Sequence, residues 1–350
     1  MGEAIRIGVT GSGFMGRTHA DAAHRLEDTQ LVAIAGGSRA AQLAADYGAQ
    51  YEESIEALIR RSDIDAIVIS TPHHCHVDEA LLAAETGKHA LVEKPMATSV
   101  EDCDRMATAF AEANLTLSLG YHQRFRDSNK TVRRLFAEAA IGQVRCMQTT
   151  ALFDIEVMRE DSGFGGSWNW WKDPRSKAHL INSAPHTVDL CRWWMGAEIA
   201  SIAAHCGTFR ETDNPNENTT MSLWHFDNGL MGTFWSSSVT PSPGFPGEDF
   251  RFRFQGDEGI LDVNPFDEIK ICRNATWETV YKQPPVGFDD SNAAFSMSRM
   301  QAYCDQMQGF VNSIHGESGG EGTPADGRAG VQAVIAMLDS SQRGETVSLR

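Results

Sequence analysis

The stretch IRIGVTGSGFMG, residues 5–16, joins a short apolar run to glycines 11, 13 and 16 in the GxGxxG spacing. Residues 5–9 read as a strand buried on both faces. Gly11 permits a tight turn, Gly13 leaves room for a pyrophosphate beside the backbone, and Gly16 lets the next helix lie close to the strand. The amide groups at that helix start are then placed to hold a diphosphate, with Ser12, Phe14 and Met15 alongside. The strand-turn-helix context turns a weak pattern into an expectation of dinucleotide binding, by NAD or NADP.

Outward from this stretch, strand-like runs at 31–35, 64–70, 89–93 and 115–119 alternate with helical stretches at 19–26, 40–47, 76–86 and 100–112. This rhythm predicts a Rossmann-type parallel sheet covered on both faces, over residues 1–122. After residue 122 the rhythm changes. Strand-like stretches at 199–209, 219–226, 230–238, 250–256 and 269–273, with helices at 186–194 and 294–315, predict a C-terminal α+β domain over residues 123–350 with an open, largely antiparallel sheet. The run HGESGGEGTPADGRAG reads as a surface loop and 328–340 as a closing helix, free to return to the first domain. The fold class is thus α/β, a parallel sheet followed by an open-sheet domain.

A length of 350 residues suits two domains of ordinary size. Thirty Lys and Arg against 47 Asp and Glu leave a net charge of −17, which repels phosphate backbones and argues against a nucleic-acid partner. No run reaches the about 18 apolar residues of a spanning helix, and the opening lacks a signal-peptide layout, so the expectation is a cytoplasmic protein with no membrane partner. The seven cysteines are odd in number and form no CxxC pair, which reads as reduced thiols.

About 20 residues past Gly16, where an NAD site normally presents an acid to the ribose, the chain reads Ala35-Gly36-Gly37-Ser38-Arg39. A carboxylate would repel a 2′-phosphate, whereas the Ser38 hydroxyl and the Arg39 fork accept one. The cofactor expectation therefore leans towards NADP, although Arg39 reads equally well as a solvated surface residue.

The stretch ISTPHHCHVDEALLAAETGKHALVEKPMA, residues 69–97, carries Glu93-Lys94-Pro95 and resembles the glucose-fructose oxidoreductase and inositol dehydrogenase family, Gfo/Idh/MocA. Residues 121–125 and 186–189 are similar to that family as well. The resemblance implies a homodimeric or homotetrameric NAD(P)-dependent oxidoreductase of small polyhydroxylated substrates, with a Rossmann domain and an open-sheet domain. Physically, Lys94 follows a buried strand at the carboxyl edge of a parallel sheet, where open sheets bind ligands. There its amine is expected to hold a substrate hydroxyl and help relay the proton. Thr71, Pro72 and His73 lie on a loop expected beside the cofactor, and Glu93 orients either a ribose hydroxyl or Lys94. His73-His74-Cys75-His76 has the residue types of a zinc site, but adjacent side chains do not converge on a tetrahedral ion, so no metal is expected. The family position of His76 implies a helix start near the cofactor.

In residues 181–189, INSAPHTVD, the chain resembles a family stretch in which an acid is followed four residues later by histidine and three later by aspartate. His186 is the candidate to take the hydroxyl proton. Asn182 stands where many relatives have aspartate, and it can orient a hydroxyl but cannot act as a base. Lys177, His179 and Trp168 are candidate substrate contacts, Trp168 as a flat wall. Gln123 is expected to touch cofactor or sugar, and Arg124 either substrate hydroxyls or an ion pair that locks the two domains. The whole reading expects one cleft in which Lys94 and His186 both reach a nicotinamide, moving hydride to or from a secondary alcohol of a sugar, glycoside or cyclitol. NADPH-dependent reduction of a keto-sugar or imine, and nucleotide-dependent sugar binding without catalysis, are the alternatives.

Overall fold

In the computed structural model, which describes residues 4–154, 173–210, 216–247, 250–283, 295–320 and 322–349, two units can be distinguished. The first comprises Met1–Phe125 and Ala294–Arg328, the second Arg126–Ala293 and Ala329–Arg350.

The first unit opens with β1 (Ile5–Thr10), α1 (Phe14–Arg25), β2 (Thr29–Ala35), α2 (Ala40–Asp46), β3 (Gln50–Glu52), α3 (Ile55–Ile59), β4 (Ala66–Ile69), α4 (His76–Glu85), β5 (His89–Val92), α5 (Val100–Glu112) and β6 (Leu117–Leu119). Its six strands lie in the order β3-β2-β1-β4-β5-β6, all parallel. The order reverses between β1 and β4, which is where doubly wound sheets open a crevice at the strands' carboxyl ends. Ile7, Val9, Ile34, Val68 and Leu91 are buried against Ala20 and Ala23 of α1, whose small side chains let that helix lie flat on the sheet.

The second unit begins with α6 (Asp127–Ala137), β7 (Val144–Asp154), α7 (Ala178–Met195), β8 (Ile199–Gly207), β9 (Thr219–Phe226), β10 (Met231–Thr240), β11 (Arg251–Gly256), β12 (Ile260–Val263), β13 (Glu268–Arg273) and β14 (Thr276–Lys282). The chain then forms α8 (Met297–Ile314), α9 (Pro324–Arg343) and β15 (Val347–Ser348). Nine strands form a sheet ordered β14-β13-β12-β11-β7-β10-β9-β8-β15, antiparallel except for β7 beside β10. Strict alternation sorts its faces. Thr220, Ser222, Trp224 and Phe226 of β9 are buried, while Met221, Leu223 and His225 between them are exposed. On the buried face Trp194 of α7 meets Phe252 and Phe254 edge-on, and Ser340 of α9 accepts from the Ala204 amide at 2.9 Å. Among the described residues no helix is long and apolar enough to cross a membrane.

Three expectations change. The helix read at 294–315 as part of the second domain is α8, and it packs in the first unit. Met300, Tyr303, Met307 and Phe310 join the core of Ile5, Ile7 and Val9, and residues 123–125 likewise stay with that unit. The glycine-rich run read as loop up to residue 327 becomes helical at Pro324, because Thr323 and Asp326 form a reciprocal cap. The Thr323 amide donates to Asp326 Oδ2 at 2.9 Å and the Asp326 amide to Thr323 Oγ1 at 3.3 Å, with proline at the first helical position. Finally, α7 starts at Ala178 and runs through Pro185 rather than starting after it, which makes the whole segment 178–195 one helix.

Candidate active site

Register places the candidate residues of the first unit along one edge. Ala35, Thr10, Ile69, Val92 and Leu119 are direct partners across β2, β1, β4, β5 and β6, so the strands end in one row. Gly11, Ser70 and Glu93 immediately follow that row, and the Ser70 and Glu93 amides still bond to Thr10 and Ile69 at 3.0 and 2.9 Å.

Each glycine of the opening motif has its own geometric reason. Gly11 has φ +90°, and a Cβ there would lie 2.6 Å from the Ser70 carbonyl oxygen. A Cβ on Gly16 would lie 2.0 Å from the Gly11 carbonyl, so only glycine lets α1 start this close to the turn. A Cβ on Gly13 would meet nothing within 4 Å. The residues thus fit a dinucleotide: a closed turn, a close helix, and open space at the one glycine whose backbone must face a diphosphate. Phe14 and Met15 are half-buried at the helix start. Ser12 is buried, its hydroxyl accepting from the Arg39 amide at 3.2 Å, which ties the glycine turn to the segment after β2. Ser38 and Arg39 are exposed there.

Lys94 is half-buried directly after β5, and Met96 and Ala97 behind it are fully buried. Burial pushes its amine pKa down, against the charge of Glu93, which raises it. Glu93, for which a ribose hydroxyl and Lys94 were both open, bonds to the Lys94 amide, and His76, expected at a helix start, begins α4. The Glu93 carboxylate is buried, with Oε1 2.8 Å from His19 Nε2 and Oε2 accepting from the Lys94 amide at 3.1 Å. Burial, the largest influence, pushes its pKa up, but the His19 hydrogen bond, with the His19 and Lys94 charges, holds the carboxyl below its ordinary value. His76 is wholly buried, with Nδ1 2.9 Å from the Pro95 carbonyl and Nε2 2.9 Å from the Thr71 carbonyl. A neutral imidazole has a single N–H, so it donates to one of these carbonyls while the ring packs between the loop after β4 and the turn after β5. Desolvation lowers the His76 pKa while the two carbonyls pull it upward.

His73 is buried in a short turn at 73–75, its ring 5.9 Å from that of His76. Pro72 precedes that turn. Gln123 and Arg124 are buried, and Arg124 pairs with Asp326 at 3.1 Å inside the first unit. That ion pair does not lock two domains, because Asp326 belongs to the returning segment.

In the second unit, His179, Asn182, His186 and Asp189 recur at three- and four-residue intervals along α7, hence on one stripe. The middle pair is half-buried and the outer pair fully buried. His179 is therefore not the open contact expected of it. Its Nε2 lies 2.9 Å from Ser236 Oγ of β10, and desolvation pushes its pKa down to about 3. Lys177 precedes the helix with φ 48°, a left-handed conformation that costs a lysine about 1–2 kcal/mol. Trp168 lies outside the described residues.

Three groups at or near these sites escaped the sequence. His19 of α1 lies with Nε2 2.8 Å from Glu93 Oε1. Glu79 of α4 accepts from Thr10 Oγ1 at 2.5 Å beneath the glycine turn, and burial raises its pKa to about 7. Glu217 accepts from the Leu180 amide at 2.7 Å at the start of α7, and burial raises it likewise to about 7. No local motif marks any of the three, since each is defined by a distant partner.

Two family models match this chain: the oxidoreductase family with an NAD-binding Rossmann fold over residues 5–121, and the GFO/IDH/MocA C-terminal domain over residues 129–262. The chain is 26% identical over 303 residues to the levoglucosan dehydrogenase of Pseudarthrobacter phenanthrenivorans, covering 77% of this chain and 76% of that one. It is 24% identical over 362 residues to the scyllo-inositol 2-dehydrogenase (NAD(+)) of Bacillus subtilis, covering 100% and 97%. A solved levoglucosan dehydrogenase in complex with NADH and levoglucosan matches in fold, with a TM-score of 0.83 over 99% of this chain and 100% of that chain at 22% identity.

The glycine geometry separates folding from binding. Gly13→Ala, at φ −73° and with open space around the new methyl, is expected to leave the melting temperature unchanged while weakening NAD(P)H binding by about 1–2 kcal/mol, roughly tenfold. Gly16→Ala is expected to lower the melting temperature as well. Thermal melts and fluorescence titration with NADH and NADPH on both variants check this.

Proposed function

This chain belongs to the GFO/IDH/MocA oxidoreductase family, and we propose from that premise how its residues carry out NAD(P)-dependent oxidation of a secondary alcohol, or reduction of the ketone, in a sugar or cyclitol. The observation that carries the reading is the amine of Lys94, half-buried with a lowered pKa, at the sheet edge that also holds the glycine turn. A bound nicotinamide supplies the hydride acceptor. Lys94 donates a hydrogen bond to the alcohol oxygen and stabilises the negative charge that gathers there as the carbon–hydrogen bond breaks. His186 takes the hydroxyl proton, and Asn182, one turn before it on α7, orients a neighbouring hydroxyl. Asparagine adds no charge beside His186, so more of the charge stabilisation falls to Lys94. Levoglucosan, scyllo-inositol and myo-inositol, with their ketones in the reverse direction, are the first substrates to assay. On whichever is turned over, Lys94→Ala and His186→Ala are each expected to lower kcat by about a hundredfold or more with NAD(P)H affinity retained. Full turnover by Lys94→Ala would falsify the assignment.

The cofactor reading leans towards NADP. Between residues 35 and 39 the chain offers a hydroxyl and a guanidinium where a carboxylate would repel a 2′-phosphate. Against this, the Bacillus subtilis relative is named for NAD(+) and the solved levoglucosan dehydrogenase holds NADH. Arg39→Ala is expected to weaken NADPH binding by about 1–2 kcal/mol more than NADH binding. Equal losses for the two would leave Arg39 a surface residue.

The exposed face of the nine-stranded sheet supports self-association. Met221, Leu223 and Met231, side by side on β9 and β10, are exposed with Ile260 and Trp277 further along, and such a surface favours a partner of similar character. A dimer or tetramer is expected in sedimentation at micromolar concentration, and Leu223→Glu is expected to shift it towards monomer. A monomeric wild-type protein would remove this reading.

A further inference from the structure

We propose that His19 is a positioning residue for Lys94, acting through the carboxylate of Glu93. The inference rests on the reading that Lys94 handles the substrate oxygen, and it adds a residue to which that reading assigns no part. His19 stands on α1, three residues beyond Gly16, and is 1% exposed. Its Nε2 lies 2.8 Å from Glu93 Oε1, while Glu93 Oε2 accepts from the backbone amide of Lys94 at 3.1 Å. One carboxylate therefore joins the helix that begins at the glycine turn to the residue that carries the amine.

The arrangement assigns the proton. A carboxylate offers only acceptors, so Nε2 carries the hydrogen it shares with Glu93, and Nδ1 meets no partner among the described residues. Tyr303 of α8 packs edge-on against the ring at 6.1 Å and 86°, which fixes its plane. His19 thus has a single polar task, donation to Glu93. That donation matters because Glu93 is 5% exposed, and a buried carboxylate that loses a donor takes up a proton rather than remain charged. Two consequences reach Lys94. The charge that supports its ammonium form disappears, and the acceptor that orients its backbone amide weakens. Another titratable group at this turn is His76, with Nδ1 2.9 Å from the Pro95 carbonyl, so buried imidazoles lie on both sides of Lys94. The two imidazoles stand on different helices, α1 and α4.

The test compares three variants. His19→Leu removes the donor. His19→Asn keeps a polar side chain that reaches only the Nδ1 position and serves if the leucine variant does not fold. His19→Gln places an amide N–H near the former Nε2 and restores the donor. On a polyol whose turnover Lys94→Ala abolishes, His19→Leu or His19→Asn is expected to lower kcat by about tenfold or more, with KM for the polyol and NADH affinity changing by less than about threefold. His19→Gln is expected to recover most of the rate. A wild-type kcat in the donor-less variants, or no rescue by glutamine, overturns the proposal. A second arm needs no substrate: after reductive methylation with carbon-13 formaldehyde, the Lys94 resonance, identified by its absence in Lys94→Arg, is expected to titrate at lower pH in His19→Leu or His19→Asn than in wild type and His19→Gln. Unchanged titration also overturns it. If Lys94→Ala proves fully active, the reading of Lys94 fails, and the methylation arm still decides whether His19 acts on it.

Discussion

The register of one parallel sheet is the constraint on which the first unit depends. Because Ala35, Thr10, Ile69, Val92 and Leu119 are partners in a single row, everything that follows the strands emerges at one edge. The glycine turn, the Thr71 loop and the Lys94 turn are neighbours for that reason alone. A slip of one residue in β5 would turn the side chains of Glu93 and Lys94 to opposite faces, since side chains alternate along a strand. The row is stabilised from within by Ile7, Val9, Val68 and Leu91, all fully buried, so the chemistry at the edge inherits its precision from the core beneath it.

What stands on that edge is a layer of buried polar groups facing one another rather than the solvent. His19 holds Glu93, His76 has Nδ1 beside the Pro95 carbonyl, Thr10 holds Glu79, and Ser12 holds the Arg39 amide. Buried polar groups are costly unless fully paired, and pairing them makes each loop's position depend on the next. Segment 294–328 extends the same logic. Arg299 of α8, 1% exposed, donates to Thr18 Oγ1 at 3.1 Å with its guanidinium 4.5 Å from the Phe14 ring, so the helix that carries the glycine turn is braced by residues nearly three hundred positions away. In the second unit α7 plays the corresponding part. Its stripe of His179, Asn182, His186 and Asp189 is anchored at the buried ends and leaves the middle pair half-buried.

The limits of the one-dimensional reading follow the same physics. Five of the six parallel strands, the largely antiparallel character of the second sheet and the turn that carries Lys94 were legible, because apolar periodicity and glycine spacing are local signals, whereas β3 and β15, three and two residues long, are too short to show a period. His179 was read as a substrate contact, and its bond to Ser236 was not legible because that partner lies 57 positions away. Arg124 was left between substrate and domain lock because its partner, Asp326, sits in a stretch that read as loop. The cap formed by Thr323 and Asp326 was present in the letters TPAD, but the surrounding glycines outweighed it.

By itself the sequence determined that a dinucleotide turn opens the chain and that a lysine stands at the end of a buried strand, since both depend on backbone geometry set within a dozen residues. Only the tertiary structure decided which side chains serve that lysine. His19 and Glu93 are 74 positions apart, and the pairing of a buried donor with a buried acceptor depends on which helix faces pack together. That choice is made by the collapse of the whole unit, not by any segment of it.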